Sequence, residues 1–194
     1  MPGIVLSGPC NLARRLSLLA AATLLPAACG TITPPPDTPF VPPAALGTNG
    51  DVDQAAASFA GWAFADPSHT AGRPVEAARA VIALEYWSGE LSSNPRYAYA
   101  SPLDQLRMLQ ARQEVRQVLG VVPGAPSQAV VDAMIWVENA TVSGDAARAT
   151  QALTGPLFTL GPDATLQRLL YLPPLPVARV ATAYAQFDTQ PSPL

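Results

Sequence analysis

The chain has 194 residues, a formal net charge of −3 and 49% hydrophobic residues, a length and composition that suit one domain with a sizeable core. All 11 of its basic residues are arginine, and they do not cluster into a basic stripe along the chain. Without residues 1–28, nine arginines remain against 14 acidic residues, which is a net charge of −5. Because such a surface repels polyanions, no nucleic-acid partner is expected.

The N-terminal residues have the features of an export signal. Arg14-Arg15 supplies positive charge, and residues 16–25 form an apolar stretch of about ten residues. That stretch is too short to cross a bilayer, which takes about 20 apolar residues. Small residues then precede a cysteine in the sequence Ala27-Ala28-Cys29. This order of charge, apolar run and small residues predicts that the chain is exported from the cytoplasm.

The segment Leu25-Pro26-Ala27-Ala28-Cys29 resembles the lipobox of bacterial lipoproteins, with proline where that family usually has leucine. The resemblance implies that residues 1–28 are a cleaved signal peptide and that Cys29 carries lipid, including palmitate-type acyl chains. Two or more acyl chains hold a protein stably at a membrane. Gly30 follows the cysteine. In this family an aspartate at that position is the usual signal for retention in the inner membrane, so its absence favours a location at the outer membrane, facing the periplasm. An ordinary secretory signal cut near Ala28 is the alternative.

Residues 29–50 are interpreted as the lipidated cysteine and a proline-rich tether. Proline lacks an N–H group and fixes φ, so neither a helix nor a central strand is expected in this segment. A polyproline II segment rises about 3.1 Å per residue, so this tether would reach on the order of 50 Å. We therefore expect a disordered tether, a single helical domain at 51–189 and a flexible tail at 190–194.

Helix signals follow one another from Asp51 to the end of the chain. Most starts combine a capping side chain, or a proline in the first turn, with apolar residues at helical spacing, and the last follows a proline-rich turn. Alternation of period two does not persist anywhere beyond a few residues. The sequence therefore predicts an all-α fold, an irregular bundle of six or seven short helices joined by proline-rich turns. The predicted starts are Asp51, Pro74, Ser101, Ser127, Asp145, Pro162 and Val177.

Two of these helices carry more specific expectations. The helix that Ser101 would cap should run to Leu119 and end at Gly120. Its interleaved charges are typical of a solvent-exposed face, since opposite charges at helical spacing support each other in water. The helix from Ser127 is apolar nearly all round, so we expect it to be the most buried. The interleaved charges are Asp104, Arg107, Arg112, Glu114 and Arg116.

Motifs for metal or cofactor chemistry are missing from the sequence. His69 is the only histidine, Cys10 lies in the predicted signal, and Cys29 is the predicted lipid site. Neither a metal site nor a disulfide in the mature domain is therefore expected. Phosphate-binding loops, dinucleotide fingerprints and a Gly-x-Ser-x-Gly elbow are also missing, so we expect no cofactor.

Glu85 and Glu138 are the candidates for a catalytic acid. Each lies beside large apolar residues, and a carboxyl group in such surroundings has a raised pKa and can donate a proton. A peptidoglycan-active, glycosidase-like enzyme is the function that this would support. The alternative is that both are ordinary acids of amphipathic helices, in water or paired with arginine.

Aromatic residues offer a candidate binding groove. They are accompanied by one arginine and partly lie in the loop before Ser101, and loops often carry binding residues. The alternative is that they fill the core, as aromatics at helical spacing usually do. We expect an envelope lipoprotein whose helical domain binds a protein partner or has a structural role; a carrier of small hydrophobic molecules would need a large internal cavity. The candidate groove residues are Trp87, Arg96, Tyr97, Tyr99 and Trp136.

Overall fold

The structure is a computed structural model and describes residues 37–189, so Cys29 and the predicted tail at 190–194 lie outside the described residues. Within this range the chain forms seven α-helices and no strand, only an isolated antiparallel bridge between Val121 and Phe158. The predicted all-α bundle is confirmed. The helices are α1 (Val52–Ala65), α2 (Pro74–Ser93), α3 (Pro102–Leu119), α4 (Ser127–Val142), α5 (Ala146–Ala152), α6 (Pro162–Leu170) and α7 (Pro176–Ala185).

Most helix ends follow the local signals in the sequence. Asp51 accepts hydrogen bonds from two backbone N–H groups of the first turn of α1, and Asp145 accepts one, from Arg148 of α5. Gly120 ends α3 in the left-handed conformation, at φ 69°. Two expected caps differ: Ser101 precedes α3 without a side-chain hydrogen bond, and Ser127 is the first residue of α4, with its side chain turned to other partners.

Helix α2 lies at the centre of the bundle and packs against α1, α3 and α4. Twelve of its 20 residues are buried, against eight of 16 in α4, so the prediction that α4 is the most buried helix is wrong. The physical reason is side-chain size, because small residues on several sides of α2 let its neighbours approach closely. These small residues are Ala77, Ala78, Ala80, Ala83 and Gly89.

Residues 37–46, called the strap below, pack along α2 and α4 instead of forming part of a free tether. Val41, Ala45 and Leu46 are buried in the core, and residues 43–46 form a short 3-10 turn. The backbone N–H of Phe40 donates to Gln128 of α4 at 2.7 Å. The predicted tether boundary at residue 50 therefore needs correction: the packed part of the chain reaches back at least to residue 37, because proline-rich backbone can pack without being helical.

Helices α3 and α7 run antiparallel side by side. Arg107 near the start of α3 lies over the ring of Tyr184 near the end of α7, whereas Glu114 contacts the first turn of α7. Glu114 accepts the backbone N–H groups of Val177 and Ala178 at 3.3 and 2.8 Å. A carboxylate from α3 thus caps α7, which has no capping side chain of its own.

Candidate functional site

Glu85 lies at the base of a buried polar cluster, which consists of Asp37, Glu85, Arg112, Arg116 and Ser127. Its side chain is 2% exposed, and its two carboxylate oxygens accept from Nε and Nη2 of Arg116, both at 2.7 Å. This is the two-pronged geometry in which arginine binds carboxylates most strongly. Glu85 is therefore fixed by an ion pair, as its alternative interpretation expected, and not placed in an open cleft.

The buried polar cluster joins four parts of the fold. Arg112 and Arg116 are one turn apart on α3, Glu85 comes from α2, Ser127 begins α4, and Asp37 belongs to the strap. Ser127 Oγ accepts from both arginines at 2.9 and 2.7 Å, and it lies 2.8 Å from Asp37 Oδ2 and 2.9 Å from Glu85 Oε2. Two positive and two negative side chains meet around one hydroxyl, so the cluster is neutral as a whole.

The charges of the buried polar cluster act on one another. Burial raises the pKa of Asp37, but hydrogen bonds from Ser127 and the charges of both arginines outweigh it, so that this pKa lies below its usual value. Burial lowers the pKa of Arg112. For Arg116 burial has the same effect, yet hydrogen bonds and charge from Glu85 raise its pKa overall. The geometry separates the two cations in the same way, because Arg116 donates two hydrogen bonds to a carboxylate and Arg112 has only an ion-pair contact with one, at 3.5 Å.

The prediction that the charges of α3 form a solvated face is wrong for Arg112 and Arg116, which are both buried. A signal in the sequence could have shown this. Met108, Arg112, Val115 and Leu119 share one helical face, so Arg112 falls inside the apolar stripe of α3. Asp37 carried no such signal, because nothing in a proline-rich segment indicates what it will pack against.

Glu138, the second candidate acid, forms an ion pair with Arg79 of α2. Burial raises the pKa of Glu138, and the hydrogen bond and charge of Arg79 only partly oppose that shift. The raised pKa matches what a proton donor needs. The surroundings differ, however, because the carboxylate faces a guanidinium that also lies over the ring of Phe59, 5.7 Å from its centre.

Three of the candidate groove residues lie together: Trp87 and Tyr97 are inside the protein, and Arg96 lies at the surface above Tyr97. Trp87 and Tyr97 are fully buried and meet edge to face, with ring centres 4.9 Å apart. The hydroxyl of Tyr97 donates to Asp53 of α1, and Arg96 forms an ion pair with the same carboxylate at 3.0 Å. Trp87 and Tyr97 are therefore core residues, as the alternative interpretation held. Tyr86 also donates to Asp53, at 2.5 Å.

Of the other two candidates, Tyr99 lies beside Tyr97, with ring centres 6.4 Å apart, whereas Trp136 lies elsewhere on α4. The hydroxyl of Tyr99 donates to the backbone oxygen of Asp188 at 2.9 Å, beyond the end of α7. Trp136 is 56% exposed and lines an open depression of about 450 Å³ together with Arg148, Gln151 and Ala152. The five candidates thus do not form one groove.

Six of the 13 large apolar side chains that are exposed in residues 37–189 lie on α3, on α7 or just beyond α7. They lie on neighbouring antiparallel helices, and Arg107 covers part of the ring of Tyr184. Exposed apolar side chains that occur together, rather than singly, are typical of surfaces that bind other proteins. We call this the α3–α7 surface; its residues are Leu103, Leu106, Val177, Val180, Tyr184 and Phe187.

His69 contacts Trp62 of α1. The two rings stack, with centres 4.6 Å apart, and Nδ1 of His69 lies 2.6 Å from the backbone oxygen of Trp62. No group of three metal-ligating side chains occurs in the described part of the chain. None of the helices described is both long and apolar enough to cross a membrane.

No family model, curated protein or solved structure matches the chain.

Proposed function

We propose that the protein is a lipid-anchored lipoprotein of the bacterial cell envelope, at the outer membrane and facing the periplasm, whose helical domain binds a protein partner. The anchoring part of this proposal rests on the export signal that ends at Cys29. The binding part rests on one observation, the α3–α7 surface, where six large apolar side chains are exposed.

The peptidoglycan-active alternative has less support from the geometry. It requires an acid that faces substrate in a cleft. Glu85 and Glu138 are each held by an arginine, and Trp136 lines a depression with other residues. A partner-binding role needs no such acid, and it uses side chains that are already exposed.

The anchor is tested by comparing two cysteine substitutions. Cys29→Ala is expected to abolish labelling by a radioactive or clickable palmitate analogue and to release the protein from membranes or leave it unprocessed. Cys10→Ala is the matched control, because residue 10 lies within the signal that is removed. Unchanged labelling of Cys29→Ala would contradict the lipid anchor.

The partner surface is tested by placing a photo-crosslinking amino acid at position 184 in the full chain. We expect an adduct with another protein in intact cells, while the same amino acid at the exposed position Asp163 of α6 gives none. Because α7 leads into residues 190–194, the adduct is sequenced. A crosslink to those residues of the same chain, or equal crosslinking from position 163, would overturn the partner-binding proposal.

A further inference from the structure

The strap places a carboxylate where several hydrogen-bond donors converge. Oδ1 of Asp37 accepts the backbone N–H of Ser127, the first residue of α4, at 2.8 Å. Oδ2 lies 2.8 Å from the hydroxyl of Ser127, 3.5 Å from Nη1 of Arg112 and 3.7 Å from Nη2 of Arg116. Two guanidinium groups, a hydroxyl and a helix N-terminal amide make a built site for an anion.

The groups that form this site are buried, but the carboxylate that fills it is not. The side chains of Arg112 and Arg116 are 10% and 5% exposed, whereas that of Asp37 is 40% exposed. The donors are therefore fixed by the surrounding helices, and the position of the carboxylate can be reached from solvent. A small anion of the same shape would meet the same donors without any movement of α3 or α4.

The charges of the buried polar cluster would be unbalanced if the strap moved away from α3 and α4. Glu85 binds both Nε and Nη2 of Arg116, which compensates that guanidinium inside the bundle. Arg112 has Asp37 as its ion-pair partner at 3.5 Å and donates from Nη1 to the backbone oxygen of Asp37 at 3.1 Å, and its Nε is buried without a hydrogen bond. Removal of Asp37 would leave a buried site with two arginines and one glutamate, an excess of one positive charge, which favours an anionic ligand.

We propose that the buried polar cluster is a carboxylate-binding site that Asp37 fills from within the same chain, and that a free carboxylate occupies it when the strap is released. The two oxygens of Asp37 divide between the donors as those of a ligand carboxylate would, one to the amide of Ser127 and the other toward its hydroxyl and Arg112. The strap then acts as a built-in competitor for that ligand.

The proposal is tested by replacing the carboxylate chemically in Asp37→Ala. Full-length protein in detergent is melted in sodium formate and in sodium chloride of equal ionic strength. The melting temperature of the variant is expected to rise with the logarithm of the formate concentration above the dissociation constant, reaching roughly 2–4 °C at about fivefold that constant. Wild-type protein, whose site is filled, is expected to show no such rise.

Two further variants make the result specific. Asp37→Ala combined with Arg112→Met is expected to lose the response to formate, and Asp163→Ala, which removes an exposed aspartate of α6, is expected to behave as wild type. If Asp37→Ala does not fold in chloride, the measurement becomes its refolding yield in formate against chloride. An equal effect of chloride, no effect of formate, or a response that survives Arg112→Met would overturn the proposal.

Discussion

At the scale of single residues, Glu85 and Arg116 show how strongly this fold depends on paired charges. Both are almost fully buried, and their two hydrogen bonds of 2.7 Å join α2 to α3. A buried ion pair adds little net stability over an apolar pair, but loss of one member leaves a charge with no partner in a medium of low dielectric constant. The effect of a mutation should therefore depend on which charge remains.

We predict that Glu85→Ala and Arg116→Ala each lower the free energy of unfolding by about 3–5 kcal/mol. Glu85→Leu combined with Arg116→Met is expected to cost less than either single change, because no charge is left without its partner. Arg168→Ala, at an exposed position on α6, serves as the control and should change stability by less than about 0.5 kcal/mol. Urea unfolding measures all four, and a double variant less stable than both single ones would contradict this account.

Tyr86 and Tyr97 give the molecule a definite response to alkali. Burial, together with the hydrogen bond and charge of Asp53, raises the pKa of both hydroxyls above their usual value of about 10. The unfolded chain therefore loses these two protons at a pH where the folded chain still holds them. Stability from this source is complete below about pH 10 and falls as the pH rises above it.

We predict that the free energy of unfolding decreases as the pH rises through 10, with a slope that approaches about two protons, roughly 2.7 kcal/mol per pH unit, near pH 11. Tyr86→Phe or Tyr97→Phe should each reduce that slope by about one proton. Tyr171→Phe, at an exposed position after α6, should leave it unchanged. Denaturant unfolding between pH 8 and 11 measures the slope, and a single-tyrosine variant with the wild-type slope would refute the assignment.

At the scale of elements, the contact between the strap and α2 depends on a glycine. A Cβ atom at Gly89 would lie 2.8 Å from the backbone oxygen of Asp37 and 2.8 Å from Cα of Thr38. Gly61 of α1 offers a close comparison, because a Cβ there would lie 2.8 Å from the side-chain amide of Gln186, which can rotate away. One glycine faces backbone and the other a flexible side chain.

We predict opposite results for alanine at these two glycines. Alanine within a helix is favoured over glycine by about 1 kcal/mol, so Gly61→Ala should be neutral or stabilising. Gly89→Ala should displace the strap, because backbone cannot move aside as a side chain can. Hydrogen exchange at the amides of Phe40 and Ser127, which bond to Gln128 and Asp37, reports on strap contact. Unchanged exchange of both amides in Gly89→Ala would show that the strap tolerates the methyl group.

At the scale of the whole molecule, the strap enlarges the folding unit beyond the helices. It supplies Val41 and Leu46 to the core and Asp37 to the buried polar cluster. A chain that starts at residue 51 would lose these apolar contacts and leave Arg112 without its ion-pair partner. The helices alone are thus an incomplete version of the domain.

We predict that residues 37–189 unfold cooperatively and that residues 51–189 are less stable by at least about 3 kcal/mol. Burial of a valine or leucine side chain contributes about 1.5–3 kcal/mol each, and the strap buries one of each. Thermal and urea unfolding of the two chains, followed by circular dichroism, provide the comparison. Equal stability would mean that the strap adds nothing to the fold.

The helical architecture could be predicted from sequence because its signals are local. Asp51, Asp145 and Gly120 act on backbone groups within one turn of themselves, and the structure places them as expected. The buried polar cluster could not be predicted in the same way, since its members are separated by up to 90 positions and meet only after packing. Arginine is also a residue type that usually lies at the surface, and only the position of Arg112 within the apolar stripe of α3 indicates that it is buried.

The packed strap has a consequence for the reach of a chain anchored at Cys29. Seven residues, 30–36, then separate the anchor from the folded unit. Covalent geometry allows at most about 3.5 Å per residue, so these seven residues reach no farther than about 25 Å, a third of the distance that 21 residues ending at position 50 would allow. Since the accessible volume scales with the cube of that reach, the shorter segment confines the domain to about 4% of the space and raises the local concentration of anything fixed beside it by about 25-fold. Partners embedded in the same leaflet gain most from this confinement.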